Sequence, residues 1–274
     1  MIHRSEFEEL VRMALREDAP LGDPFGSAFR QEARGVFLAG EEGVFCGGPV
    51  AAEVLRQVDP ESSVNFVEEG KRVRTGERLG EARGPAGALL LGERVALNFL
   101  QRLSGIATAT ARYVEKVAPF GTRILDTRKT TPLHRALEKY AVRTGGGENH
   151  RFSLSDGILI KENGIRAAGG IHEAVAVARR CAPHLPRVEV EVESLEDAET
   201  AVRAGADAIL LDNMPPVKVA EAVRLFGGRV FLEASGGIRL DNVEDYARAG
   251  VHAISIGALT HSAAALDISF EFGP

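Results

Sequence analysis

Apolar positions recur at helical spacing from the start of the chain. Phe7, Leu10, Val11, Ala14 and Leu15 follow Ser5, with Glu8 three positions after it. The spacing predicts a helix near 5–17 opened by a capping box. Residues 34–84 change to short alternating stretches such as GVFLAGEEGVFCGG, and Gly70–Gly76 reads as short strands around tight turns. A long helical pattern then covers 89–117, with Leu97, Leu100, Ile106 and Ala109 on its apolar positions and a break predicted near Ser104–Gly105.

After residue 122 short apolar strands alternate with amphipathic helices. The strands read RILDT (123–127), GILIK (157–161), VEVEV (188–192), AILLD (208–212), VFLEA (230–234) and AISIG (253–257). Helices are predicted near 133–142, 171–182, 195–204, 217–226 and 241–249. This rhythm predicts βα units and a parallel sheet. Six such strands suggest a barrel, closed or nearly so, with an open doubly wound sheet as the rival. Residues 1–108 are expected to form a separate α+β domain and 109–274 the barrel. The stretch 267–272 alternates polar and apolar and reads as a last strand, with a return to the first domain left open.

Composition narrows the class. At 45% hydrophobic and 26% charged residues the chain is an ordinary globular one. No run of 18 apolar residues exists, so no membrane span is expected. The start lacks a signal-peptide pattern, which leads to an expected cytoplasmic location and to Cys46 and Cys181 as reduced core thiols. The net charge of −6 argues against nucleic acid as a partner. Residues 94–161 nevertheless hold twelve Lys or Arg against five Asp or Glu. That local excess suggests a pocket for a small anion, or a solvated basic face.

In α/β barrels, ligands bind at the carboxyl ends of the strands. Every predicted strand delivers polar groups or bare backbone there: Asp126–Lys129, Lys161–Asn163, Glu189, Glu191 and Glu193 on one face, Asp212–Asn213, Glu233–Gly237 and Gly257. Ser235, Gly236, Gly237 and Gly257 suit backbone approach to a phosphate. Glu191 and Asp212 suit Mg²⁺, general acid or base work, or a salt bridge from Glu191 or Asp212 to Lys161. Arg128, Lys129, His150, Arg151 and Lys161 form a cationic half that fits a substrate with more than one negative group. Thr144–Gly147 supplies a turn that can bring Arg143, His150 and Arg151 to the site.

At these residues the chain resembles the quinolinate phosphoribosyltransferase family. The stretches are ERVALNFLQRLSGIATAT (93–110), DTRKTTP (126–132), KYAVRTGGGENHR (139–151), DGILIKEN (156–163), VEVEVES (188–194), ILLDNM (209–214), EASGGI (233–238) and ISIGALTHS (254–262). The resemblance implies an N-terminal α/β sandwich domain plus a distorted, incomplete α/β barrel. It implies quinolinate and phosphoribosyl pyrophosphate as substrates, Mg²⁺ as cofactor, and nicotinate mononucleotide as product in NAD biosynthesis. It also implies a homodimer, or a higher oligomer, in which Arg94 reaches the neighbouring subunit's active site. By the same resemblance, Lys129, Lys161, Glu191 and Asp212 are expected to take the catalytic roles, with Glu191 and Asp212 near the metal. Arg128, His150, Arg151 and Lys161 bind quinolinate, while Ser235, Gly236, Gly237 and Gly257 hold phosphate.

The chain departs from the family pattern in three places. Thr130-Thr-Pro-Leu-His-Arg135 lacks the usual glycine, Gly164 stands where a histidine is usual, and Gly22-Asp-Pro-Phe25 replaces G-D-x-T. Rival readings are a related phosphoribosyltransferase for another ring acid, a Schiff-base lyase using Lys161 or Lys129, and a non-catalytic binding protein on the same scaffold.

Overall fold

The computed structural model of the chain describes residues 2–181 and 187–273. In chain order the elements are α1 (Glu8–Asp18), β1 (Glu32–Ala39), β2 (Gly43–Val44), α2 (Gly48–Val58), β3 (Ser63–Phe66), β4 (Arg72–Val73), β5 (Arg78–Pro85), α3 (Ala86–Val117), β6 (Arg123–Leu125), α4 (Arg135–Thr144), β7 (Ile158–Ile160), α5 (Glu162–Ala168), α6 (Ile171–Cys181), β8 (Val188–Val192), α7 (Leu195–Arg203), β9 (Ala208–Asp212), α8 (Pro216–Phe226), β10 (Phe231–Ser235), α9 (Val243–Arg248), β11 (Ala253–Ser255), α10 (Ala258–His261) and β12 (Ile268–Phe272). They divide into two compact units. One holds 1–111, 130–146 and 259–274; the other holds 112–129 and 147–258. Segment 130–146, expected in the barrel, belongs with the first unit, because buried Glu138 of α4 ties it to α3 through Arg102.

In the first unit, β12, β1, β5 and β3 form an antiparallel sheet in that order, and β2 pairs with β4. The final strand does return to this unit: Ile268–Phe272 pairs with Gly35–Ala39. Alternation along β1 buries Phe37 and Ala39, and Phe37 meets Phe66 and Phe270 with ring centroids 5.0 and 4.6 Å away. Such tilted aromatic pairs add to the burial of apolar area. Two local expectations fail here. The capping box forms two residues earlier, between His3 and Glu6, around a short 3₁₀ turn, and α1 starts at Glu8 without a side-chain cap. The long helix α3 does not break at Ser104–Gly105. The Ser104 hydroxyl instead bonds the backbone of Cys46, and a Cβ on Gly105 would lie 2.0 Å from the Ala264 carbonyl oxygen. These small residues serve close packing rather than a bend.

The second unit is a six-stranded parallel sheet in the order β6-β11-β10-β9-β8-β7. The expected strands are all present, within two residues at each end. The sheet curls: Leu125 of β6 and Ile158 of β7 line one cavity, although these two edge strands do not pair. The result is an incomplete barrel. Val190, Ile209, Leu211, Leu232, Ala234 and Ile254 are fully buried on one face of the strands. Their alternate neighbours, Glu189, Glu191, Leu210, Asp212, Glu233, Ser235 and Ser255, line cavities on the other. Burial of both faces is what a parallel sheet requires.

α5 has no counterpart in the sequence reading, because ENGIRAA is short and carries little apolar periodicity. The end of the helix expected over 171–182 lies outside the described residues. Cys46 is buried as expected, whereas Cys181 is exposed at the end of α6. No helix among the described residues is long and apolar enough to cross a membrane.

Candidate active site at the carboxyl end of the parallel sheet

A pocket of about 190 Å³ opens at the carboxyl ends of the strands in the second unit. Arg128 and Lys129 enter it from the segment after β6, His150 and Arg151 from the segment before β7, and Lys161 from the end of β7. Glu191 on β8, Asp212 at the end of β9 and Ser235 at the end of β10 complete its polar wall. Eight of the twelve residues named from the sequence therefore share one pocket. Gly236 and Gly237 follow Ser235 directly, and Gly257 lies two residues past the end of β11. Arg94 is exposed on α3, in the first unit, as is Arg143 at the end of α4.

The segment carrying His150 and Arg151 is held from below. Asp126 is fully buried, and its carboxylate accepts from the His150 backbone N–H at 2.9 Å and from Asn149 Nδ2 at 2.5 Å. A short parallel bridge between Leu125 and Glu148 adds to this. Asp126 is thus a positioning residue behind the pocket. Arg151 Nη1 donates to the Gly157 carbonyl oxygen at 2.8 Å. Burial, and then the nearby Arg128 guanidinium, push the Arg151 pKa down. Arg128 Nε is buried with no hydrogen-bond partner among the described residues. A buried guanidinium N–H left unpaired beside a second guanidinium is costly unless an acceptor such as an anion joins them. Lys161 Nζ pairs with Glu191 Oε2, which is the salt bridge anticipated as an alternative role.

Below these cations lies a cluster that sequence reasoning noted only as strand-end carboxylates. His150 Nε2 stands 3.0 Å from Glu189 Oε2 and 3.6 Å from Glu233 Oε2. Glu233 is 1% exposed, and its Oε1 is buried without a partner. Burial first, and the adjacent Glu189 second, push the Glu233 carboxyl up to about 7, against the opposing pull of His150, Ser255 and Arg123. The alternation in VEVEV showed the shared face, but the meeting of Glu189 with Glu233 across β9 depends on the curl of the sheet.

Two sets of side chains offer metal donors. His150, Glu189 and Glu233 place donor atoms within 4.8 Å of one another. That set is largely buried and includes an imidazole already engaged with a carboxylate, whereas Mg²⁺ takes oxygen ligands and keeps waters and substrate phosphate. Glu191 and Asp212, on adjacent strands facing the open pocket, match that donor chemistry. Asp212 Oδ2 also accepts from Asn213 Nδ2 at 2.7 Å.

The turn after β10 is tightly built. Gly236 and Gly237 have φ of 89° and 63°, and a Cβ on Gly236 would sit 2.3 Å from Asn213 Oδ1. Asn213 is itself left-handed at φ 54°, and its N–H donates to the Ser235 carbonyl oxygen at 2.9 Å. In the first unit, the departure at Leu133 has a physical signature. It takes φ 67° where the family pattern has glycine, and its side chain is 78% exposed. His134 N-caps α4 by position only and stacks on Phe99. Gly164 lies within α5, and Asp23 accepts from the Phe25 N–H at 2.9 Å.

Cations, carboxylates and a glycine turn gathered at the carboxyl end of a curled parallel sheet define an α/β-barrel enzyme acting on small polyanions. The quinolinate phosphoribosyl transferase C-terminal domain matches residues 106–271, and the N-terminal domain of the same family matches residues 26–104. The chain belongs to the quinolinate phosphoribosyl transferase family. A Bacillus subtilis protein described as a probable nicotinate-nucleotide pyrophosphorylase (carboxylating) is 44% identical, over 97% of this chain and 93% of its own length. The human nicotinate-nucleotide pyrophosphorylase (carboxylating) is 40% identical, over 96% of this chain and 90% of its own. The solved nicotinate-nucleotide pyrophosphorylase from Francisella tularensis superimposes with a TM-score of 0.96 at 38% identity, covering 100% of this chain and 98% of that one.

Proposed function

We propose that this chain transfers the phosphoribosyl group of phosphoribosyl pyrophosphate to quinolinate, with loss of CO₂, and so makes nicotinate mononucleotide for NAD biosynthesis. Family membership along nearly the whole chain supports the activity. One observation carries the substrate reading: Arg128, Lys129, His150, Arg151 and Lys161 converge on a single pocket that also holds Ser235. Two carboxylates on one ring need that many donors, and the unpartnered Arg128 Nε calls for an anion.

Arg128, Arg151 and Lys161 clamp the quinolinate carboxylates, His150 lines the same pocket between them and the buried glutamates, and Lys129 meets the sugar pyrophosphate or the ring acid. Backbone N–H groups of Ser235, Gly236, Gly237 and Gly257 cradle phosphate. Glu191 and Asp212 would hold Mg²⁺, which when bound neutralises charge on the departing pyrophosphate. As pyrophosphate leaves, positive charge builds at ribose C1, and Glu191 or Asp212 stabilises it. The ring nitrogen of quinolinate attacks C1. Alignment of two anionic reactants, which repel each other in water, is the largest service of the site. The active oligomer is a homodimer or a multiple of it, with Arg94 completing the neighbouring subunit's pocket, and the enzyme works in the cytoplasm.

Incubation with quinolinate, phosphoribosyl pyrophosphate and Mg²⁺, followed by mass detection of the mononucleotide and of CO₂, tests the reading. Product without CO₂ would point to another ring acid. Arg128→Ala should lower kcat/KM for quinolinate by roughly 10²-fold or more, the scale of a lost charge-assisted bidentate contact. Near wild-type kinetics would remove Arg128 from the clamp.

A further inference from the structure

Decarboxylation leaves an unassigned requirement at the floor of this pocket. When the C2–carboxylate bond breaks, its electron pair stays on C2, and the product carries a hydrogen there. Some group must deliver that proton.

Glu233 sits at the middle of β10 and lines two cavities. One is the carboxyl-end pocket. The other, of about 270 Å³, lies on the amino side of the same sheet, where Arg123, Gly157, Arg187, Ala208 and Phe231 mark the strand beginnings. The two cavities share His150, Arg151 and Glu233. His150 Nδ1 accepts from the Arg151 backbone N–H at 2.8 Å, so Nε2 is the ring nitrogen that donates to the carboxylates. That N–H serves one carboxylate, and its 3.0 Å approach selects Glu189 over Glu233 at 3.6 Å. Glu233 has Ser255 as a hydroxyl partner, an orphan Oε1, and only the more distant charge of Arg123, which is engaged by Glu148 and the Phe231 ring. Two ionised carboxylates at these buried positions would leave one uncompensated. The arrangement is satisfied when Glu233 is a neutral acid, and its raised pKa agrees.

We propose that Glu233 is the catalytic acid that places the hydrogen on C2 as CO₂ departs, and that it is reprotonated from solvent in the amino-side cavity. The proposal rests on the reading of the site as a quinolinate phosphoribosyltransferase. In the step, the C2–CO₂ bond breaks and the positively charged ring nitrogen stabilises the pair left on C2. That pair takes the Glu233 proton, so a C–H bond forms while an O–H bond breaks and its electrons remain on the carboxylate. Glu189 and His150 are positioning residues, and Ser255 donates to the carboxylate that forms. The carboxylate is then reprotonated through the amino-side cavity, so that one proton is taken from bulk solvent per turnover.

The test is Glu233→Gln, which keeps shape and removes the acid. Quinolinate binding by calorimetry should stay within about twofold, while kcat falls at least about 100-fold, the scale of a lost general acid. Wild-type kcat should decline as pH rises through about 7, as the acid loses its proton, and this limb should vanish in the variant. Glu233→Asp, which retains a carboxyl, should recover part of the rate. Equal losses of binding and kcat with an unmoved pH limb would mark a structural role and overturn the proposal. If the glutamine variant does not fold, a wild-type kcat that is flat from pH 6 to 8.5 overturns it equally. A wild-type chain that makes no mononucleotide overturns the parent reading and this one with it. An active wild type beside an equally active Glu233→Gln overturns this one alone.

Discussion

Gly236 and Gly237 look interchangeable in the sequence, yet the structure predicts different costs for replacing them by alanine. Both have left-handed backbone, so each alanine is charged about 1–2 kcal/mol for conformation alone. At Gly237 nothing lies within 4 Å of the added Cβ, so the cost stops there. At Gly236 the Cβ would meet Asn213 Oδ1 at 2.3 Å and Asn213 N at 2.7 Å. Backbone cannot swing aside as a side chain can, and moving Asn213 breaks its hydrogen bond to Ser235. Overpacking adds about 1–3 kcal/mol, and the lost bond adds roughly 1 kcal/mol. The two variants should therefore differ by about 2–4 kcal/mol, which at roughly 2–4 °C per kcal/mol separates their melting midpoints by about 4–16 °C. Thermal melts of both proteins measure this. The Gly236→Ala variant should also raise KM for phosphoribosyl pyrophosphate, because Asn213 adjoins Asp212 in the pocket wall. Midpoints within about 1 °C of each other would show the turn to be plastic, and the tight-turn argument would fail.

Three further outcomes follow from the packing. Asp126→Asn keeps the size but removes one of the two acceptors beneath His150 and Asn149; it should cost about 1–3 kcal/mol in urea melts and weaken quinolinate binding, and unchanged values in both would contradict the anchoring role. Leu133→Gly relieves a left-handed leucine with little buried area to lose, so stability should rise by up to about 1 kcal/mol or stay level, glycine's added freedom in the unfolded chain offsetting part of the gain; a drop beyond about 1 kcal/mol would show that the conformation is not strained. Glu53 is held down at about 2, chiefly by its hydrogen bond with Arg56 and with help from Gln57 and Arg4. Its folded pKa is depressed, so its stabilisation is complete above the ordinary carboxylate range and disappears as pH falls towards 2. Glu53→Gln should accordingly destabilise near pH 7 and approach wild type near pH 2, and a pH-independent difference would count against the pairing.

The reach of sequence reasoning varied from element to element. VEVEV and AILLD became β8 and β9 without adjustment, because uninterrupted apolar strands between amphipathic helices have few other solutions. Arg128, Lys161, Glu191 and Asp212 were placed together by one rule, that barrel strands bring their carboxyl ends to a common mouth. The rule says nothing about what lies beneath that mouth. Asp126 and Glu189 appeared in the sequence as two strand carboxylates of equal standing, but one anchors a loop and the other holds an imidazole. Those roles depend on tertiary distances that spacing along a strand does not encode. Gly105 was misread because a helix glycine looks the same whether it bends the helix or admits a neighbouring carbonyl. α4 misled for a related reason: its periodicity shows an apolar face, but only the buried Glu138 with its Arg102 partner reveals which body that face serves.

The pairing of β12 with β1 orders events during synthesis. The antiparallel sheet of the first unit needs Ile268–Phe272 as an outer strand, and these residues are translated after every strand of the parallel sheet. A nascent chain can assemble the parallel sheet, whose strands fall between 123 and 255, while the earlier-made unit still waits for its border. The order of completion is thus the reverse of the order of translation. A stop codon just before residue 268 should therefore damage the beginning of the protein more than its middle.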